Sequence, residues 1–234
     1  METVAKSTDY ESGLQTAQIK ITNNPLRSSV VIVAHPDDET LWSGGLILSN
    51  PDTDWFITAV CRGNDPDRSP KFLKAVDRYR ATGAIADLDD EPEQDPLPGE
   101  LVQRSILGLV PNMPYERIIT HAPWGEYTRH RRHEEVSQAV IELWNRGTIS
   151  ANEVWLYAYN DSDGEDLPRA VEGAHHHYPL PQSIWQEKYR IITEIYGFLP
   201  ESWEARVTPQ IEAFWRFTSS DSLLIWQQEY GSQY

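Results

Sequence analysis

Short apolar runs bounded by turn residues recur along the 234-residue chain, at 30–34, 56–61, 117–120 and 154–159, with room for helices between them. Mostly apolar runs of that length mark strands buried on both faces of a parallel sheet. Helical periodicity fills the intervals near 40–49, 71–84, 100–109 and 132–146. The alternation predicts an α/β fold, a Rossmann-like three-layer sandwich on a mainly parallel, doubly wound sheet. Two segments depart from it. IADLDDEPEQDPLPGE, 85–100, is acidic and proline-rich and predicts a surface loop. The tail, 182–234, carries Trp185, Tyr189, Ile192 and Tyr196 at helical spacing and predicts a helix packed on the sandwich. Residues 1–25 are expected to form a polar arm ahead of a single domain spanning 26–234.

Charge narrows the range of partners. A formal net charge of −16 argues against nucleic acid, whose phosphates call for clustered Lys and Arg. The single cysteine, Cys61, lies inside the apolar run WFITAVC, so no intrachain disulfide can form and a buried thiol is expected. The first thirty residues lack the basic start and apolar core of a secretory signal, and no stretch approaches the roughly 20 apolar residues of a membrane span. A cytoplasmic protein without membrane insertion is the expectation.

Candidate chemistry begins where the first strand ends. VVIVAHPDDETLWSGG, 31–46, passes from apolar residues straight into His35, Asp37, Asp38 and Glu39. In doubly wound sheets ligands sit beyond the carboxyl ends of the strands, so these groups fall at the rim of a crevice. Imidazole and carboxylate are ordinary zinc ligands, and a catalytic zinc takes three protein ligands plus water. If His35 and Asp38 are two of them, the third should come from another strand end. THAPWGEYTRHRRHEEV, 120–136, follows the third strand and opens a helix whose Val136, Val140, Leu143 and Trp144 share a face. His133, three residues before Val136, points to the same buried side, and His130 would sit above it.

AHPDDE followed by GEYTRHRRH resembles the PIG-L/LmbE-like family of metal-dependent N-acetylglucosaminyl deacetylases. Ser43-Gly44-Gly45 and TAVCRG, 58–63, with Arg62, are similar to further parts of that pattern. The resemblance runs from about residue 29 to 146. It implies a Rossmann-like fold, a zinc ion or, in the cell, Fe, Co or Ni, and hydrolysis of an N-acetyl group on an amino sugar or glycoconjugate. It also implies His35, Asp38 and His133 as metal ligands and Asp37 as general base. His130 is then expected to stabilise the oxyanion and Glu39 to orient a histidine ligand. Trp124, in the loop before the histidine pair, is expected beside the substrate, and His121 either as support for the ligands or as a strand-end cap.

The sequence also departs from the family. Arg131 and Arg132 stand where Pro-Asp is common, and Lys71 and Lys74 are the nearest counterparts of a substrate-binding arginine and glutamate. Arg129 and its neighbours either read an anionic part of the substrate or pair with Glu126, Glu134 and Glu135. His175–His177 cannot all face one ion, and the flanking prolines predict a loop. The rival reading is a non-catalytic carbohydrate-binding or regulatory protein that keeps the metal site.

Overall fold

The computed structural model describes residues 15–16, 28–93, 95–127 and 129–230. The first strand of the predicted set is Ser28–Val33, here β2, after a two-residue strand β1, Gln15–Thr16. There follow α1 (Asp38–Ser49), β3 (Asp54–Cys61), α2 (Arg68–Arg78), β4 (Thr82–Leu88) and α3 (Gly99–Leu109). Then come β5 (Tyr115–Thr120), α4 (Arg131–Asn145), β6 (Ala151–Tyr157), and a small hairpin of β7 (Tyr159–Asn160) and β8 (Arg169–Ala170). The chain continues through β9 (His176–Pro179), α5 (Gln182–Arg190), a π-helical turn at Ile191–Ile195, α6 (Trp203–Val207), β10 (Ile211–Phe217) and α7 (Ser220–Tyr230).

The main sheet runs β1-β4-β3-β2-β5-β6-β10-β9, parallel from β4 to β6 and antiparallel at β1, β10 and β9. Successive residues of β2 serve opposite layers. Val30 and Ile32 pack with Ile106, Val136, Val140 and Leu223 of α3, α4 and α7. Val31 and Val33 pack with Leu41, Trp42, Phe72 and Ile192 on the other face. After β2 the chain steps outward to β3 and β4, then returns to β5 on the other side. The switch point therefore lies between the carboxyl ends of β2 and β5, where a doubly wound sheet opens its crevice.

Several expectations need correction. The helix expected over 71–84 ends at Arg78, and Thr82–Leu88 is a strand instead. Gly83 decides this: a Cβ there would lie 2.3 Å from the Ile57 carbonyl oxygen, so only glycine lets β4 approach β3. The segment 85–100 is consequently a loop only after Leu88, and Gly99 already opens α3. The tail is more than one helix, since β10 enters the sheet next to β6. His176–Pro179 forms the edge strand β9. The expected arm at 1–25 lies outside the described residues except for Gln15–Thr16, which pairs with β4. Among the described residues, no helix is long and apolar enough to cross a membrane.

Candidate functional site

Asp38 sits in the first turn of α1, and its Oδ2 lies 3.1 Å from His35 Nδ1 and 3.3 Å from His133 Nε2. The two imidazole nitrogens are 3.2 Å apart. An ion bonded tetrahedrally at about 2.0–2.2 Å holds its ligand atoms about 3.3–3.6 Å apart, so this donor set fits a small divalent cation. His35 follows β2, and His133 lies in the first turn of α4, which the β5 end leads into. The switch point thus brings together residues 98 positions apart.

Each histidine is aimed by a carboxylate. Asp90 Oδ1 lies 3.2 Å from His35 Nε2, and Glu126 Oε2 lies 2.7 Å from His133 Nδ1. A carboxylate can only accept, so Glu126 fixes an N–H on His133 Nδ1, whereas Asp90 lies close to His35 Nε2 without a well-aligned hydrogen bond. In the metal-free protein the second N–H of His133, at Nε2, faces Asp38, and a bound metal ion would displace that proton. Glu126 also accepts from His121 Nδ1 at 2.9 Å, and His121 Nε2 accepts the Ala34 N–H at 2.9 Å. His121, fully buried and stacked on His133, has therefore spent both nitrogens. It ties the β5 end to the β2 end.

The electrostatics follow from this crowding. Burial opposes charge on His133, but Asp38 and Glu126 overcome it and hold its pKa at about 10. Burial likewise opposes a charge on the two carboxyls, yet His121 and His133 bring Glu126 down to about 2, and His35 with Arg62 brings Asp90 to about 2. Asp37 moves the other way: burial and then Asp38 push it up to about 8, against the pull of Arg68. His130 is lowered to about 3 by burial and by His133 and His35, so its imidazole is neutral.

A cavity of about 310 Å³ opens over this cluster. Asp37, Asp38, His130, Arg62 and Arg68 line its floor, and Tyr127 and Trp203 form an aromatic wall, with ring centroids 4.8 Å apart. Of the site residues expected from sequence, His35, Asp37, Asp38, His130 and Arg62 line the cavity, and His133 lies beneath it. Arg62 bonds Asp90 through Nε at 2.9 Å and Nη2 at 2.6 Å.

Two expectations, for Glu39 and Trp124, fail on geometry, and of the two alternatives for Arg129 the pairing with a surface glutamate is the one found. Glu39 touches no histidine; its oxygens accept from the Asp37 N–H, Thr40 and Tyr196. Trp124 packs on Trp226, 4.9 Å between centroids, because α7 covers that side of the loop. Trp203 and Tyr127 stand at the cavity instead. Arg129 is 74% exposed and gives both its Nε and Nη2 to Glu134. Arg132 is buried and clamps the segment after β4, bonding the Asp89 carbonyl at 2.6 Å, the Asp95 carbonyl at 3.0 Å and Glu135 at 2.7 Å. Neither arginine lines the cavity.

Arg68, Asp90 and Glu126 were missed as site residues. Arg68 Nη1 bonds Asp37 Oδ2 at 2.7 Å, whereas Lys71 pairs with Asp67 on the same helix. A signal existed only for Glu126, which stands inside the GEY stretch; Asp90 is one acid among many in its loop. The run His175–His177 is scattered: His175 bonds the Arg216 backbone, His176 stacks on Trp155 and His177 faces the Val171 carbonyl.

No family model and no curated protein matches the sequence. Among solved structures the chain is similar to the N,N'-diacetylchitobiose deacetylase from Pyrococcus horikoshii, with TM-score 0.58 and 14% identity over 84% of this chain and 86% of that one. It is similar to the zinc inhibited form of teicoplanin deacetylase, with TM-score 0.56 and 14% identity over 83% and 99% of the two chains. It is also similar to the 4-carboxy-2-hydroxymuconate hydratase GalB from Pseudomonas putida KT2440, with TM-score 0.53 and 13% identity over 81% and 95%. The fold is one that deacetylases share with a hydratase, and at such identity the likeness concerns the fold.

Proposed function

We propose that the protein is a metal-dependent hydrolase that removes an N-acetyl group from an amino sugar or a glycoconjugate carrying one. The observation that carries the reading is the convergence of His35, Asp38 and His133, each within 3.3 Å of the others, beneath a cavity also lined by Asp37 and His130. The sequence resemblance to PIG-L/LmbE-like deacetylases and the fold shared with an N,N'-diacetylchitobiose deacetylase and a teicoplanin deacetylase support it.

His35 Nδ1, Asp38 and His133 Nε2 would hold the ion, with zinc the first choice. When bound, such an ion lowers the pKa of a coordinated water toward 7 and polarises a carbonyl as a Lewis acid. In its ionised form, which Arg68 favours, Asp37 takes the proton from the attacking water and delivers it to the departing amine nitrogen as the C–N bond breaks, giving acetate and the free amine. His130, neutral and at the cavity floor, donates an N–H to the oxygen that gains negative charge. Trp203 and Tyr127 offer aromatic faces to a sugar ring. Both cavity arginines already pair with carboxylates, Arg62 with Asp90 and Arg68 with Asp37, while Asp65 and Glu204 add negative charge to the lining. An uncharged or cationic sugar suits that lining better than the anionic substrate expected from Arg129.

The test compares variants of zinc-loaded protein against a panel of N-acetyl sugars. Asp37→Ala should keep stoichiometric zinc and lose acetate release by at least about 100-fold, the scale of general acid–base catalysis. His133→Ala should lose both. Equal loss of metal in the two variants would overturn the division of roles, and stoichiometric zinc without acetate from any sugar would favour the non-catalytic rival.

A further inference from the structure

Asp37 holds an unusual backbone conformation. Its φ is 102° and ψ −29°, a left-handed geometry that residues with a Cβ avoid, and its own side chain does not cap α1. Something around it must therefore fix the shape. Glu39 Oε2 accepts the Asp37 N–H at 3.1 Å, while Glu39 Oε1 accepts from Thr40 Oγ1 at 2.5 Å and from the Tyr196 hydroxyl at 2.7 Å. Tyr79 completes the group by donating to Thr40 Oγ1 at 2.8 Å. Glu39 and Thr40 are wholly buried and Tyr196 nearly so. Each Glu39 oxygen is thus committed to a donor that restrains the segment holding Asp37.

Tyr196 is 157 residues away from Glu39 in sequence. It reaches the site because α5 ends in the π-helical turn Ile191–Ile195, closed by the Tyr196 N–H on the Ile191 carbonyl at 3.0 Å. An extra residue in a helical turn rotates the side chains beyond it by roughly 100°, and such turns recur at functional sites. Gly197, at φ 79°, then redirects the chain so that the Phe198 ring lies 4.8 Å from the Arg68 guanidinium carbon. Arg68 in turn grips the Asp37 carboxylate. One short segment, 196–198, therefore restrains Asp37 twice, through its backbone and through its side chain.

We propose that Tyr196, acting through Glu39, is a positioning residue that holds Asp37 in the left-handed geometry its proton-transfer role requires. The kinetic part rests on the deacetylase reading; the backbone part does not. In zinc-loaded Tyr196→Phe, kcat should fall about tenfold with KM and zinc affinity unchanged, and amide exchange at Asp37 should quicken by about tenfold, the size of one lost hydrogen bond. Glu39→Gln, which keeps the shape and one acceptor oxygen, should fall between wild type and Glu39→Ala in both readouts and serves if Tyr196→Phe folds poorly. Wild-type exchange at Asp37 in Tyr196→Phe, or a loss of zinc affinity as large as that of His133→Ala, would overturn the proposal. If wild-type protein releases no acetate from any sugar, the deacetylase reading falls while the exchange measurement still decides this one.

Discussion

The carboxylates of the site are chemically alike, and their neighbours divide the work among them. Asp38 faces two imidazoles, Asp37 faces Arg68, Glu39 faces hydroxyls and a backbone N–H, and Asp90 and Glu126 each face the outer nitrogen of a histidine. A prediction follows for the metal-free protein. Glu126 and Asp90 both have folded-state pKa values near 2, below their ordinary 4.5 and 3.8. Their stabilisation is therefore complete above about pH 4.5 and is lost as pH falls toward 2. Thermal melts across that window should show wild-type Tm dropping more steeply than that of Glu126→Gln; parallel curves would mean that Glu126 is not ionised against the histidines. At this scale the first motif was legible because His35, Asp37 and Asp38 are adjacent in sequence. The residues that aim the histidines were not, since Asp90 belongs to an acidic stretch whose composition suits a solvated loop equally well.

At the scale of elements, the parallel strands and the helices over them were readable from apolar runs and periodicity, whereas β4 and β10 were not. β4 begins with Thr82, Gly83 and Ala84, too small to register as an apolar run, and IEAFWRF in β10 reads equally well as a helical face in an aromatic tail. What fixes β10 is a buried ion pair. Glu212 accepts the Gly45 and Leu46 N–H groups of α1 at 2.7 Å each and the Lys188 ammonium of α5 at 2.7 Å, and both charged side chains are fully buried. Lys188→Met should leave Glu212 without its counter-charge and destabilise the protein by roughly 3–5 kcal/mol in chemical denaturation. A loss under about 1 kcal/mol would put the pair on a level with a surface bridge.

The whole molecule places the site where the sheet reverses its winding, so the candidate ligands come from segments that are independent until the chain is folded. A divalent ion held by His35, Asp38 and His133 would bridge the β2 end and the start of α4. It should raise the unfolding free energy by about 4 kcal/mol at a thousandfold excess over Kd, and His133→Ala should abolish the effect. Since His133 carries a proton up to about pH 10 in the metal-free protein, zinc binding at pH 7 should release on the order of one proton from it. Affinity then rises with pH through neutrality, measurable by calorimetry in buffers of different ionisation enthalpy; binding with neither proton release nor pH dependence would rule out His133 as a ligand. The sequence by itself determined the α/β architecture and the two clusters of candidate ligands, because both are written in local order: apolar runs, helical spacing and adjacent polar residues. Tertiary structure alone decided which side chains meet. It drew Arg68 to Asp37, Asp90 to His35 and Tyr196 to Glu39 and turned Trp124 and Arg129 away, because those contacts depend on loop paths and packing between distant segments that no local pattern encodes.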